Sequence, residues 1–117
     1  MDLFSRMFGP PVPALSAQEL NEKLKNGKGP LVIDVREPEE YIEGHIVWAK
    51  MIPLGELNKH MKELPKDQEI VCVCASGSRS SAATRQLINA GYTAINMNGG
   101  MFGWQRAGLP VKKGNAA

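Results

Sequence analysis

Cys74 and Arg79, five positions apart with only Ala75, Ser76, Gly77 and Ser78 between them, are the residues of this sequence whose types and spacing could do chemistry. The four spacers are all small, so the backbone can curl until successive amide N–H groups converge on the sulfur. A helix opening near Arg79 would add its positive end, and with the amides and the guanidinium it favours thiolate over thiol. A free cysteine of pKa about 8.5 is only a few per cent ionised at neutral pH, whereas cysteines at helix N-termini reach about 3.5–7.5. Gly77 supplies the positive φ that a curled loop commonly needs. Ser78 and Ser80 offer hydroxyls for capping or for a bound oxyanion. The expected result is an anion nest around a nucleophilic sulfur, and the spacing alone does not name the reaction.

Such a loop works only if a strand and a helix hold it. Glu69-Ile70-Val71-Cys72-Val73 is the most strand-like run of the chain and leads directly into Cys74; a helix follows from about Ser80 to Ala90, with Gly91 just past its end. Upstream, Ser16 and Glu19 form a capping box for a helix of about ten residues carrying Leu20 and Leu24. Leu31 to Val35 predicts a strand ending near Arg36, Glu39 to Ile42 a single helical turn before Gly44, and Ala49 to Ile52 a short strand stopped by Pro53. Glu56 to Leu64 predicts a helix with Leu57, Met61 and Leu64 on one face, Ala94 to Met97 a last strand, and Met101 to Ala107 a last helix. Strands alternate with helices throughout, which predicts a small α/β domain with a mainly parallel central sheet flanked by helices on both faces. In such sheets the reactive groups gather beyond the carboxyl ends of the strands, where Cys74 falls.

With 117 residues the chain bounds a single domain. We divide it into a leader over 1–14 containing Gly9-Pro10-Pro11 and Pro13, a domain over 15–111 and a charged tail over 112–117. Fourteen basic residues against 12 acidic ones, spread along the chain, give a polyanion no wide field, which argues against nucleic acid. The longest aliphatic run ends at Asp34, far short of the roughly 20 residues of a membrane span. The first residues lack the apolar core of a secretory signal, so a cytoplasmic location and a soluble monomer or weak dimer are expected. Cys72 and Cys74 are too close for a useful disulfide and too few for a zinc site, which predicts reduced thiols and no metal.

The same residues resemble those of the single-domain rhodanese-like sulfurtransferases. Ile33-Asp34-Val35-Arg36-Glu37 with Glu40-Tyr41 and Gly44-His45-Ile46 is similar to the family's first signature. Cys74-x-x-Gly77-x-Arg79-Ser80 resembles its active loop, and Gly99-Gly100-Met101 with Trp104 and Ala107 to Val111 its carboxyl-terminal signature. The resemblance implies that Cys74 takes a sulfane sulfur from thiosulfate or a persulfide donor and passes it to cyanide or a thiol, with no cofactor. It implies that Arg79 and the loop residues Ala75, Ser76, Gly77, Ser78 and Ser80 hold the persulfide, and that Asp34 and Arg36 support the site without being catalytic. A protein that carries a persulfide would serve as donor or acceptor. Two departures stand out: Val47-Trp48 replaces a usual Pro-Gly, and the active loop carries one cation where some thiosulfate-using relatives have more.

Blander readings compete at several positions. Cys74 in isolation could be a buried small residue at a strand end, and Arg79 a surface charge. Cys72 reads as core, with a resolving thiol as the alternative. His45 reads as a hydrogen-bonded structural residue, His60 as solvated, Trp104 as packing, and Trp48 as packing or a wall of the entrance. Two other functions are open. A cysteine phosphatase or arsenate reductase would use a loop resembling Cys-x5-Arg, one residue longer than this one. A sulfur carrier or binding module would use the same fold without turnover.

Overall fold

The computed structural model describes residues 11–117; the beginning of the expected leader, residues 1–10, lies outside them. The chain alternates as the sequence predicts. Strands are β1 (Ala14–Leu15), β2 (Leu31–Asp34), β3 (Lys50–Met51), β4 (Ile70–Val73) and β5 (Ala94–Met97). Helices are α1 (Ala17–Lys25), α2 (Pro38–Glu43), α3 (Leu54–His60), α4 (Ser78–Asn89) and α5 (Gly100–Arg106), with a 3₁₀ turn over Met61–Glu63. The strands form one parallel sheet in the order β1-β5-β4-β2-β3.

The period of two along the central strands makes two cores. In β4, Val71 and Val73 face one cluster with Val32, Leu20, Met101 and Trp104, while Ile70 and Cys72 face the other with Ile33, Leu57, Ala83 and Leu87. All four residues of β4 are buried, as expected of a parallel strand covered on both faces. Helices α1 and α5 thus cover one face and α3 and α4 the other. The capping box of α1 is present, with Ser16 N donating to Glu19 at 2.9 Å and Glu19 N to the Ser16 hydroxyl at 3.1 Å.

Connections from β2 and β4 leave in opposite directions along the sheet, so the crevice beyond their adjacent carboxyl ends is where an open α/β sheet gathers its site. The loop after β2 carries Arg36 and the loop after β4 carries Cys74. Val35 N donating to Val73 O at 2.9 Å holds the two together.

Several boundaries differ from the sequence reading. The stretch read as leader through residue 14 runs into a strand, because Pro13 and Leu15 carbonyls accept bonds from Asn96 and Asn98 along β5. Two residues after a proline are too short a run to register as a strand. The single turn over 39–42 is a six-residue helix opened by Pro38, a residue pre-set for the first helical turn. The helix expected to begin at Glu56 begins at Leu54, and its last turn tightens to 3₁₀ before Pro65. The final helix opens at Gly100 rather than Met101, and the helix after the loop at Ser78 rather than Ser80.

The charged tail is tied to the domain. Lys112 and His45 exchange backbone bonds at 2.8 and 2.9 Å, Gly114 N donates to Ile42 O at 2.9 Å, and Nε2 of the buried His45 lies 2.8 Å from Ala116 O. His45 stacks on Tyr41 and also meets Tyr41 O through Nδ1 at 2.8 Å, a structural histidine as expected. Among the described residues no helix is long and apolar enough to cross a membrane.

Candidate active site

The chain leaves β4 at Val73 and turns at once. Cys74 lies in the apolar cluster with Ile33, Val35 and Leu87 and is 0% exposed, yet its sulfur also accepts hydrogen bonds from the loop and the start of α4. Gly77 N donates to Sγ at 3.1 Å and the Ser80 hydroxyl lies 3.3 Å from it. Gly77 sits at φ +106°, the left-handed conformation expected for this position, and immediately precedes α4. Burial pushes the Cys74 thiol up. The Ser80 hydroxyl and the amides of Ser80, Gly77 and Ser76 outweigh it, and the thiol is held below its ordinary value. The bland reading and the reactive one are thus both realised in part: the residue is buried, and its sulfur is an acceptor in an amide nest.

The Ser80 hydroxyl has one proton and two acceptors. Asn96 Oδ1 is at 2.6 Å, so the proton is shared between the two, and three backbone amides hold the anion beside it. Ser80→Ala should therefore move the pH midpoint of Cys74 alkylation upward while leaving a thiol still more acidic than a free one. A midpoint lower than that of the unsubstituted protein would contradict this arrangement of donors.

The far side of the loop is clamped by α5. Met101 N donates to Cys74 O at 2.8 Å and Phe102 N to Ala75 O at 3.0 Å. This close approach requires Gly100: its φ is +56°, and a Cβ there would overlap the carbonyl groups of Cys74 and Ala75. Gly100→Ala should cost more than the roughly 1–2 kcal/mol of a left-handed residue alone, since backbone must also move. Urea unfolding should show the loss, and slower loading of Cys74 should accompany it.

Arg79 does not point its guanidinium at the sulfur. Nη1 and Nη2 donate to the two carboxylate oxygens of Glu40 at 2.8 and 2.9 Å. These bonds hold the Glu40 carboxyl down at about 2 and push Arg79 up. The sequence reading has Glu40 in a family signature but gives it no place in the site, because 39 positions separate it from Arg79 and only the docking of α2 beside the loop joins them. The sequence reading has the guanidinium favour the thiolate; in the structure its charge acts on Cys74 with both outer nitrogens bonded to Glu40. Ser76 and Ser78 have their hydroxyls 3.2 Å apart.

Asp34 and Arg36 form a buried bidentate pair, with Nε to Oδ1 at 2.9 Å and Nη2 to Oδ2 at 2.8 Å, and Arg36 Nη2 also donates to Gly44 O at 2.8 Å. The pair ties the loop after β2 to the end of α2. Cys72 lies on β4 in the core, and burial pushes its thiol up to about 11, with a weaker lowering from Thr84. Trp104 is buried and donates to Pro110 O at 2.8 Å. His60 is not simply solvated, since Nδ1 lies 2.9 Å from Glu63 Oε2. Trp48 is 79% exposed at φ +71° and lines an apolar groove with Leu24, Val32 and Trp104, away from the cleft beside Ala75, so it is not a wall of the entrance.

The family model described as "Rhodanese-like domain" matches residues 16–107. A sulfurtransferase of Allochromatium vinosum is 35% identical over 101 residues, covering 86% of this chain and 94% of the relative. The crystal structure of a rhodanese-related protein from Thermoplasma volcanium superposes with a TM-score of 0.80 at 36% identity, covering 86% of this chain and 97% of the other. A thiosulfate sulfurtransferase from Pseudomonas aeruginosa superposes with a TM-score of 0.82 at 28% identity over 90% of this chain and 21% of that one. With a parallel sheet, a nested cysteine and a family match over most of its length, the chain belongs to the rhodanese-like domain family.

Proposed function

We propose that this protein is a sulfurtransferase that moves a sulfane sulfur from thiosulfate or a persulfide donor to cyanide or a thiol acceptor through a persulfide on Cys74. The observation that carries this reading is the set of donors on Sγ, led by Gly77 N at 3.1 Å, in a thiol held below its ordinary range. A thiolate attacks sulfane sulfur without a general base, and the same amides hold the persulfide that results. Ala75 and Ser76 complete the curl of the loop, Ser78 opens α4, and Asp34 and Arg36 brace the neighbouring loop. Because Cys74 is covered, the loop must yield slightly for a donor's sulfur to enter.

The relatives named as sulfurtransferases support the reaction class. The loop of four residues between cysteine and arginine also favours a single sulfur over a tetrahedral oxyanion, which the one-residue-longer phosphatase loop would enclose. Intact-mass analysis after incubation with thiosulfate or glutathione hydropersulfide tests the reading: one added sulfur on Cys74, discharged by cyanide, is expected. No gain from either donor, together with hydrolysis of an aryl phosphate, would overturn it. Loading without repeated turnover to cyanide or a thiol would assign the protein to the sulfur carriers instead.

A further inference from the structure

The cation of the Cys74 loop is already engaged. Both outer nitrogens of Arg79 are bound by Glu40, whose carboxyl, held at about 2, stays ionised throughout the working pH range. The second guanidinium of the crevice, Arg36, is buried and bound to Asp34 and Gly44 O. Neither arginine therefore offers an uncompensated positive charge to an arriving ligand. Beside Ala75 opens a cleft of about 480 Å³ in which Glu43 accompanies Lys113, and on whose rim Phe102 is 60% exposed and Val111 is also exposed. This surroundings is close to neutral and partly apolar.

Thiosulfate brings two negative charges to a thiolate. In that reaction Cys74–S⁻ attacks the outer sulfur of S–SO₃²⁻, the S–S bond breaks, and sulfite leaves with the electron pair, so the site carries three negative charges throughout. With a hydropersulfide, Cys74–S⁻ attacks the outer sulfur of R–S–SH. The donor's S–S bond breaks, R–S⁻ leaves with the electron pair, and the proton stays on the transferred sulfur as Cys74–S–SH. The reacting sulfurs carry one negative charge with the donor protonated and two with it ionised, fewer in either case than with thiosulfate, so a nest of neutral amides has less need of a free cation.

We propose that Glu40 sets the donor class: by neutralising Arg79 it turns the site away from dianionic thiosulfate and toward the hydropersulfide of a cysteine-type thiol. The inference rests on the sulfur-transfer reading above. Glu40 is a specificity residue that acts through Arg79, and Glu40→Gln is the variant of choice because the amide oxygen can still accept from Glu37 N, which lies 3.0 Å from the carboxylate and caps α2.

The test compares loading of Cys74 by thiosulfate, by glutathione hydropersulfide and by persulfidated serum albumin. In the unsubstituted protein at least one hydropersulfide donor should exceed thiosulfate in kcat/KM by at least about tenfold, and the better of the two tells whether the sulfur arrives on a small thiol or on a protein. In Glu40→Gln the ratio of thiosulfate to hydropersulfide kcat/KM should rise at least about tenfold, and its thiosulfate reaction should slow with added salt as the freed guanidinium is screened. Thiosulfate as the better donor of the unsubstituted protein, or an unchanged ratio in the variant, overturns the proposal. Should the variant not fold, the salt dependence of the unsubstituted protein decides: a steep slowing of its thiosulfate reaction would reveal an uncompensated cation and overturn the proposal, and a flat response supports it. Failure of all three donors to load Cys74 would instead overturn the sulfur-transfer reading itself.

Discussion

Replacing Cys74 with serine should abolish sulfur loading, leaving no sulfur gain by intact mass with donors that load the unsubstituted protein to completion. A serine hydroxyl in the same nest has no accessible anion near neutral pH, so neither attack on sulfane sulfur nor a persulfide is available to it. Cys72 serves as an internal control, since it remains in the variant, is buried on β4 and has its thiol pushed up to about 11. Sulfur appearing on Cys72 in Cys74→Ser would contradict the division of roles between them. The pH profile of the unsubstituted protein follows from the direction of the Cys74 shift. The reacting form is the thiolate, and the nest favours it, so the pH midpoint of loading should lie below that of a free thiol, with the rate declining on acidification. An ordinary thiol would instead gain about tenfold per unit up to about 8.5.

Asp34→Ala should be the most destabilising of the substitutions considered. It leaves the Arg36 guanidinium, in a residue only 5% exposed, with Gly44 O as its remaining partner, and breaking a buried pair in this way costs about 3–5 kcal/mol. For a domain of this size that corresponds to a fall in Tm of well over about 10 °C. Replacing both partners with apolar residues of similar volume, Asp34→Leu with Arg36→Met, should recover much of the loss, because the penalty comes from the orphaned charge rather than from the missing attraction. A thermal scan of the single and double variants checks both statements. A single variant within about 1 kcal/mol of the unsubstituted protein would mean that water reaches the guanidinium.

Much of this was legible before the fold. The capping box at Ser16 and Glu19, the β-branched run into Cys74 and the small residues before Arg79 are local signals, each completed within a few positions, and each lies where the periodicity places it. The clamp of α5 on the loop was half legible: Gly99-Gly100 marked a turn, but that Gly100 must pass against the Cys74 carbonyl emerges only from the packing. The pairing of Glu40 with Arg79 was not legible, because Glu40 stands among Glu37, Glu39 and Glu43 and nothing in their spacing selects which of the four reaches the loop. Strand β1 escaped for a different reason, being defined by main-chain bonds to β5 rather than by any pattern of side chains.

Where the polypeptide is cut matters more than the family boundary suggests. The family match ends at residue 107, yet the strand-like bridge at Lys112, the bond from Gly114 to Ile42 and the meeting of His45 with Ala116 all come after it. Excising the segment at the homology limit would strip the last layer from α2, the helix that presents Glu40.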